Sequence, residues 1–404
     1  MYGLEGIRVI SFNHFLIGPV GVQYLADLGA DVISIEPIDG AFQRKWGGTG
    51  KKVDGQSMLH LVGNRNKRSL SLNLKDPRGI EIVKRLIATA DVITENYRPG
   101  VMNKLGLGYD DAKAIKPNII YAVASGFGAD GPYVNRPGQD LIIQAMSGLA
   151  AVTGNHANGP RAVGVSAADH HGAALYAMGI LAALLRRERG GEGGRVDVNL
   201  LSSAIDLQQE SFTCYLNGER PQDINQPGHV AGWCFPAPYG IYASRDGYLA
   251  ISLGSLSLLY DILGVPDTER IAQEAEFTQQ KTISELLARY LIQGSTAHWV
   301  QLFQENKIWH SPVNDYEQVI EDPQVKHLHS FNSLTGATGA PITLVAHPVR
   351  FDGQTPGVRL APQKLGAQTV AILGELGFSG DDISKLHDAG VVNWSDASAE
   401  TPLH

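Results

Sequence analysis

Short apolar runs alternate with helix-like patterns along roughly the first half of the chain, and this alternation constrains the fold more than any other feature. The runs Arg8–Phe12 and Asp31–Ile35 flank a stretch with helical spacing at Val20–Leu28. Helices are predicted to begin near Pro77 and Tyr109. Further strands are predicted at Ser69–Leu74, Asp91–Thr94, Ile119–Ala124 and Val196–Asn199. Strands separated by helices indicate a parallel sheet of the α/β class.

The chain changes character after a long helix. That helix is predicted over about 168–189, is ended by the glycine-rich segment 190–194, and is followed by a helix over Leu200–Tyr215. The stretch Asn217–Trp233 is rich in Pro, Gly, Gln and Asn, which is typical of a linker. Beyond it we expect a hairpin around Arg245-Asp246-Gly247, helices within 270–306, an irregular stretch at 330–345 and a helical tail at 366–386.

The composition excludes several classes of protein. The 404 residues are 43% hydrophobic and carry a formal net charge of −8, which is typical of a globular chain and atypical of a general nucleic-acid binder. Only two cysteines, Cys214 and Cys234, are present, so we expect a reduced, cytoplasmic setting. The start lacks a signal-peptide pattern, and the longest apolar stretch, Ala173–Leu185, is shorter than a bilayer span. Neither a nucleic-acid nor a membrane partner is expected.

An aspartate at the start of the long helix is the leading candidate for chemistry. Asp169 lies three residues before Gly172, where a ligand could approach the backbone closely. The helix dipole and free backbone N–H groups favour a charged carboxylate there and could stabilise an oxyanion. The alternative is that Asp169 or Ser166 only caps the helix, because Ser-x-x-Asp resembles a capping box. The spacing leaves both interpretations open.

Basic, amide and aromatic residues follow several of the predicted strands. Open α/β sheets bind ligands at the carboxyl ends of their strands, and such side chains suit a phosphorylated adenine nucleotide. A solvated charged face is the alternative interpretation. The residues concerned are Lys67, Arg68, Lys75, Asn96, Tyr97, Arg98 and Lys104.

Two other candidate sites are rejected. The turn Asn13–Pro19, with Glu36 at the end of the second strand, lacks the glycine triplet of a dinucleotide-binding unit, which argues against NAD. The pair His327 and His329 lacks spaced Cys, Asp or Glu partners. No metal site is therefore predicted.

Taken together, the segments resemble the family III CoA-transferases, the group related to formyl-CoA transferase and carnitine CoA-transferase. The likeness is nearly full-length, and the order and number of the segments make it specific. They are Gly6-Ile-Arg-Val-Ile, His14–Pro19, Leu25-Ala-Asp-Leu-Gly-Ala-Asp-Val, Ile35-Glu-Pro, Asn66-Lys-Arg-Ser-Leu-Ser-Leu-Asn-Leu, Glu95-Asn-Tyr-Arg-Pro-Gly, Ser125-Gly-Phe-Gly, Gly131-Pro-Tyr, Gly164–Asp169, Gly193-Gly-Arg-Val-Asp-Val and Asp322-Pro-Gln-Val.

This resemblance implies a fold and a binding mode. The family has a Rossmann-like large domain built from both chain ends and a smaller central α+β domain, which here would divide the chain at 1–216, 217–330 and 331–404. Two subunits interlock as a homodimer. The family's nucleophile maps onto Asp169, with Gln139 and Tyr133 expected on the substrate side. Coenzyme A binding maps onto His14, Leu16, Leu72, Lys75, Asn96, Tyr97, Arg98 and Lys104.

The resemblance further implies a CoA-transferase. The aspartate would attack an acyl-CoA such as succinyl-CoA, acetyl-CoA or formyl-CoA, giving a mixed anhydride and then an aspartyl-CoA thioester. A small acid, with dicarboxylic acids among the candidates, would accept the CoA. CoA thioesters are thus substrates, and no permanently bound cofactor is expected. The stretch 228–236 lacks the glycine run of formyl-CoA/oxalate members, which argues against oxalate as the acceptor.

Two alternatives remain open. An α-methylacyl-CoA racemase-like isomerase needs a histidine as the second acid or base, and the matching position here is Gln139, which cannot exchange a proton at neutral pH. His156, His170 or His171 could take that role instead. The second alternative is an inactive CoA-binding protein.

Overall fold

The computed structural model describes residues 2–155, 158–220, 230–336 and 338–395. Strands and helices are numbered separately along the chain. The strands in the described residues are β1 (Arg8–Phe12), β2 (Asp31–Glu36), β3 (Lys52–Val53), β4 (Gln56–Ser57), β5 (Lys67–Leu72), β6 (Val92–Glu95), β7 (Ile120–Ser125), β8 (Gly194–Asn199), β9 (Gly240–Ala243), β10 (Tyr248–Ile251), β11 (His310–Pro312), β12 (Phe331–Thr335), β13 (Pro341–Val345) and β14 (Val392–Asn393).

Helices connect most of these strands, and one short 3₁₀ helix covers Gln273–Ala275. The α-helices are α1 (Ile17–Asp27), α2 (Phe42–Lys45), α3 (Met58–Val62), α4 (Pro77–Thr89), α5 (Val101–Lys104), α6 (Tyr109–Ile115), α7 (Asp140–Met146), α8 (Leu149–Thr153), α9 (Ala167–Glu188), α10 (Leu200–Asp206), α11 (Gln209–Leu216), α12 (Leu256–Leu263), α13 (Gln280–Leu291), α14 (Thr296–Glu305), α15 (Tyr316–Glu321), α16 (Pro323–His327), α17 (Thr369–Glu375) and α18 (Gly380–Asp388). Several begin at local signals, as at α4, where the Asp76 side chain accepts the Arg78 N–H.

Seven strands form the central sheet, in the order β14-β5-β2-β1-β6-β7-β8. All pairs are parallel except β14 with β5, where Val392 lies opposite Leu72. From β1 the chain moves outward through β2 and β5 on one side and through β6, β7 and β8 on the other, so the order reverses between β1 and β6. This doubly wound arrangement confirms the predicted α/β fold with a large parallel sheet.

The central strand β1 contributes to a core on each face of the sheet. Val9 packs into a core that contains residues of α1 and α9, including Leu25 and Tyr176. Ile10 belongs to the opposite core, which contains residues of α4, including Leu86. A strand covered on both faces has an almost continuously apolar sequence, which is why β1 could be predicted from the sequence with its bounds.

The described residues fall into two compact units. The first comprises the residues within 1–143, 166–204 and 327–404, and it includes the central sheet. The second comprises those within 144–165 and 205–326. It has its own three-stranded antiparallel sheet, β11-β10-β9, and its own core with α12, α13 and α14. The domain division predicted from the sequence stays a prediction.

The segment predicted as a single helix over Leu200–Tyr215 is instead two helices, α10 and α11, and this prediction was wrong. The break contains Gln208, which is buried and whose side-chain amide donates to the Ser147 carbonyl at 3.2 Å. A tertiary contact of this kind has no local signature, because Ser147 lies far away in the sequence.

The stretch 330–345 was also wrongly predicted, since it forms a hairpin of β12 and β13 rather than irregular structure. Along β13 the side chains alternate between buried and exposed, and Ile342 and Leu344 pack against Leu61. The glycine and threonine residues between the two strands obscure this alternation in the sequence.

Candidate active site

Two loops meet at the point where the strand order of the central sheet reverses. One follows β1 and contains Asn13 and His14, and the other follows β6 and contains Asn96 and Tyr97. In open α/β sheets this crevice, outside the carboxyl ends of the strands, is where ligands bind. The topology therefore brings together two of the segments that the sequence analysis singled out separately.

Asn96 joins the two loops through both ends of its side-chain amide. Its Oδ1 accepts the His14 backbone N–H at 2.8 Å, and its Nδ2 donates to the His14 carbonyl at 2.7 Å. The His14 ring stacks on Tyr97, with ring centroids 5.3 Å apart and an interplanar angle of 24°. Asn96 therefore fixes the geometry of the crevice, and the stacked rings form one of its surfaces.

Both stacked rings are neutral near pH 7. Burial lowers the pKa of His14 to about 4, because the charged imidazolium loses its hydration. Burial raises the pKa of Tyr97 to about 12, with a further contribution from Glu95. The pair therefore offers a ligand an uncharged aromatic surface rather than a charge or a general acid.

Asp169 lies in the first turn of α9, as the sequence predicts. The Ser166 side chain makes no capping hydrogen bond. Instead, Oδ1 of Asp140, the first residue of α7, accepts the Asp169 backbone N–H at 3.0 Å. A carboxylate from another helix thus caps α9, and the proposed Ser166–Asp169 capping box is not what holds this helix end.

The carboxyl group of Asp169 is held close to a second helix terminus. The backbone N–H of Ile17, the first residue of α1, lies near it and acts to lower its pKa. Burial and the charge of Asp140 have the opposite and larger effect, so the pKa of Asp169 is raised to about 7. The expectation that the helix end would favour the charged form was therefore wrong in its net sign.

Two glycines allow α1 and α9 to pack closely enough for this contact. A Cβ added at Gly21 of α1 would lie 2.9 Å from the carbonyl oxygen of Ala173, and one added at Gly172 of α9 would lie 2.8 Å from Cδ1 of Ile17. Both distances are shorter than van der Waals contact, so a larger residue would push the helices apart. Gly172 thus has a packing role, whereas the sequence analysis expected it to make room for a ligand.

The basic cluster predicted from the sequence separates into two groups. Lys75, Arg98 and Lys104 are exposed and available to a ligand. Lys67 is buried, and Arg68 is paired with Asp31 and Glu375. Only the first group therefore fits the predicted nucleotide-binding role.

The remaining predicted residues lie in varied surroundings. The Leu72 side chain is buried in the core, so a ligand could reach only its backbone, whereas Leu16 is partly buried. Gln139 is exposed immediately before α7, and Tyr133 is exposed with the Arg136 guanidinium 4.6 Å from its ring centroid. His156, suggested as a substitute acid or base, and the first two residues of the 228–236 stretch lie outside the described residues.

Asp140 is the functional candidate that the sequence analysis missed. The available signal was its position at the start of an apolar stretch, where an acidic residue typically begins a helix. Its closeness to Asp169 could not be read from the sequence, because the two belong to different helices.

The described residues contain neither a cluster of metal ligands nor a helix that could span a membrane. No group of three or more His, Cys, Asp or Glu side chains could hold a metal ion there. No helix in the same residues has the length and apolar character that crossing a membrane requires.

Comparison with known proteins identifies the family. The model of CoA-transferase family III matches residues 4–369. The chain belongs to CoA-transferase family III. A succinyl-CoA:glutarate CoA-transferase from Mus musculus is 35% identical, with 97% of this chain and 91% of that protein covered. A succinate–glutarate CoA-transferase from Agrobacterium fabrum is 32% identical, with 92% of this chain and 95% of that protein covered.

A solved structure supports the same assignment. The CAIB/BAIF family protein from Brucella suis superposes with a TM-score of 0.80 at 29% identity, covering 93% of this chain and 99% of that one. This family III member is therefore an enzyme of the CoA-transferase class, as predicted. Both relatives named above are CoA-transferases.

Proposed function

We propose that this enzyme transfers coenzyme A from succinyl-CoA to glutarate or a closely similar dicarboxylic acid, with Asp169 as the covalent nucleophile. The substrate class is inferred from the two curated relatives whose names specify succinyl or succinate and glutarate. The nucleophile is inferred from the geometry around Asp169. A dicarboxylic acceptor also agrees with the sequence-based prediction of a small acid.

The observation that carries the proposal is a single, partly buried carboxyl group between two helix termini. Asp169 is in the first turn of α9, and its carboxyl group lies near the Ile17 N–H at the start of α1. Because its pKa is about 7, the ionised form is well populated at neutral pH and is more basic than an ordinary aspartate. Such a group is a better nucleophile towards a thioester carbonyl than a fully hydrated carboxylate.

The reaction then proceeds through four acyl-transfer steps. A carboxylate oxygen of Asp169 attacks the thioester carbonyl, the C–S bond breaks, and CoA leaves as a thiolate, giving a mixed anhydride. The thiolate attacks the aspartyl carbonyl, which releases the donor acid as a carboxylate and leaves an aspartyl-CoA thioester. The acceptor carboxylate attacks that thioester and again releases the thiolate. The thiolate finally attacks the acceptor carbonyl, giving the new acyl-CoA and free Asp169.

The helix termini supply the electrostatic support that these steps need. Each attack places negative charge on a carbonyl oxygen, and backbone N–H groups at the start of a helix stabilise such an oxyanion. In the second and third steps this charge would develop on the aspartyl carbonyl, which lies near the Ile17 N–H.

The CoA moiety is proposed to occupy the crevice between the two loops. The stacked rings of His14 and Tyr97 would contact its apolar parts, and Lys75, Arg98 and Lys104 are exposed for its phosphates. Leu16 and the backbone near Leu72 complete the predicted set, while Gln139 and Tyr133 are proposed on the acid side. The interlocked homodimer and the cytoplasmic location stay predictions. Sedimentation velocity would test whether the protein is a dimer.

Chemical trapping tests the covalent intermediate. The enzyme is incubated with succinyl-CoA and hydroxylamine, digested, and analysed by mass spectrometry. An aspartyl-CoA thioester converts to a hydroxamate, so we expect this modification on Asp169 and not on Asp140. Turnover without any modified Asp169 would rule out the proposed intermediate.

A panel of acids tests the substrate class. Succinyl-CoA is supplied as the donor, and glutarate, oxalate, acetate and butyrate compete as acceptors, with CoA esters separated by chromatography. We expect glutaryl-CoA to form fastest, and a monocarboxylate that outcompeted glutarate would contradict the dicarboxylate assignment.

A further inference from the structure

Lys67 is a buried lysine whose role the reaction scheme does not explain, and burial lowers its pKa to about 7. It begins β5, and only 2% of its surface is exposed. Its Nζ donates to the carbonyl oxygen of Pro19 at 2.7 Å and to that of Gly63 at 2.6 Å. Burying an ammonium group is costly unless its hydrogen bonds are made within the protein, so these two contacts largely fix where the group can lie.

The first of these contacts is to the turn of α1 that approaches Asp169. Pro19 belongs to the first turn of this helix, and Ile17, two residues earlier, packs against Gly172 in the first part of α9 and acts to lower the pKa of Asp169. Lys67 therefore binds the first turn of α1, which also lies next to the proposed nucleophile, Asp169.

The backbone of Gly63 packs tightly against this turn. A Cβ added at Gly63 would lie 3.0 Å from Cβ of Pro19 and 3.2 Å from the Val20 nitrogen. The first turn of α1 is thus in tight contact with the end of α3, and Lys67 links the two carbonyls across that contact. On its other side, α1 packs against α9 through Gly21.

We propose that Lys67 is a positioning residue for catalysis, which fixes the first turn of α1 so that the Ile17 N–H remains near the Asp169 carboxyl group. The kinetic part of this inference rests on the proposed function of Asp169. The structural part requires only the contacts described above.

A test of Lys67 must leave unchanged the other charged and titratable groups near Lys67 and near Asp169. Asp27 of α1, Glu36 of β2, His60 of α3 and Arg65 all interact electrostatically with Lys67. Near Asp169 the charged neighbour is Asp140 of α7. A variant that keeps all of these groups measures the contribution of the Lys67 ammonium group alone.

Lys67→Met is that variant, because methionine has nearly the same length without the charge. The full-length enzyme is labelled with a water-soluble carbodiimide across pH 5–9, and the extent of labelling at Asp169 is read by peptide mass spectrometry. Carbodiimides react with protonated carboxyl groups, so the labelling midpoint reports ionisation at Asp169 independently of turnover. We expect the midpoint to rise by about half a pH unit, because a loosened Ile17 N–H no longer favours the charged form as strongly.

Turnover provides the second readout. With succinyl-CoA and glutarate, we expect kcat of Lys67→Met to fall about tenfold while KM for succinyl-CoA changes little, since the crevice residues are untouched. Lys67→Arg keeps a buried donor and should recover part of kcat. Leu86→Ala, in the core on the opposite face of the sheet, is the matched control for lost stability and should leave the midpoint unchanged.

Gly63→Ala perturbs the first turn of α1 while keeping Lys67. It replaces Lys67→Met as the test if that variant does not fold. It should raise the Asp169 midpoint in the same direction, because its methyl group presses on Pro19. An unchanged midpoint in each variant that folds would overturn the positioning role. Should Asp169→Asn retain turnover, the proposed nucleophile is wrong, yet the midpoint shift would still support the contact between α1 and Asp169.

Discussion

Two carboxylates of the same unit, the buried Glu36 and the partly buried Asp169, have opposite surroundings. Glu36 ends β2, and its two oxygens accept hydrogen bonds from Arg44 at 2.5 and 2.6 Å and from Ser69 at 2.9 Å. Asp169 lies near the Ile17 N–H and near another carboxylate, Asp140. Burial raises the pKa of both, yet the contacts with Arg44 bring that of Glu36 below its ordinary value, whereas that of Asp169 rises to about 7.

The difference separates a structural carboxylate from a reactive one. A buried acid with a cationic partner stays ionised, and removing either partner leaves an uncompensated buried charge that destabilises the fold. A partly buried acid next to a like charge is held near its titration midpoint, which suits a group that must attack, become neutral in an anhydride or thioester, and ionise again. In the sequence each is an acid at one terminus of a predicted element, and no local signal shows which of the two has a cationic partner.

The largest expected effect is on turnover. Asp169→Asn should reduce CoA transfer by about a thousandfold or more, because an amide cannot replace a carboxylate nucleophile. Glu36→Gln should keep kcat within roughly threefold at low temperature, where the variant is folded. Steady-state assays of succinyl-CoA and glutarate exchange measure both, and equal losses in the two variants would remove the contrast between them.

For the free energy of unfolding, we expect the larger loss in Glu36→Gln rather than in Asp169→Asn. Glu36→Gln leaves the buried Arg44 guanidinium without its counter-charge, and breaking such a pair costs about 3–5 kcal/mol of unfolding free energy. Guanidinium chloride unfolding at pH 7 measures this value. A loss below about 1 kcal/mol would mean that the pair contributes no more than a surface salt bridge.

Asp169 itself should destabilise the fold as the pH rises. Its folded pKa of about 7 exceeds its ordinary value of 3.8, so the folded state prefers the protonated form, and stability is lost as the pH increases from about 4 through about 7. Relative to wild type, Asp169→Asn should therefore gain about 2–3 kcal/mol between pH 5 and pH 8. Unfolding at both pH values checks the sign, and a larger gain at pH 5 than at pH 8 would contradict it.

The smallest effect tests the like-charge contribution alone. Asp140→Asn removes one negative charge near Asp169 and should lower its carbodiimide-labelling midpoint by about one pH unit, equivalent to about 1.4 kcal/mol. Glu95, whose pKa burial also raises to about 7, provides an internal reference because Asp140 is not among the groups that shift it. A shift at Glu95 of equal size would indicate a general structural change instead.

Local sequence signals predicted much of this fold and part of the site. β1 has its predicted bounds, and Pro77 begins α4. Long-range contacts were inaccessible: the sequence did not reveal that Asp140 caps α9, or that Lys67 points inward while Lys75 in the same segment remains exposed. Charge and spacing indicate where a cation can lie, but burial depends on helices that are distant in the sequence.

The antiparallel edge strand β14 has a consequence for how the molecule is made. It pairs with β5, yet the ribosome synthesises the two strands hundreds of residues apart, with the entire second unit between them. Until β14 arrives, the free edge of β5 offers unpaired backbone groups to any other extended chain. A nascent chain that stalls before Val392 would therefore be prone to aggregation even though its proposed catalytic residues have already been synthesised.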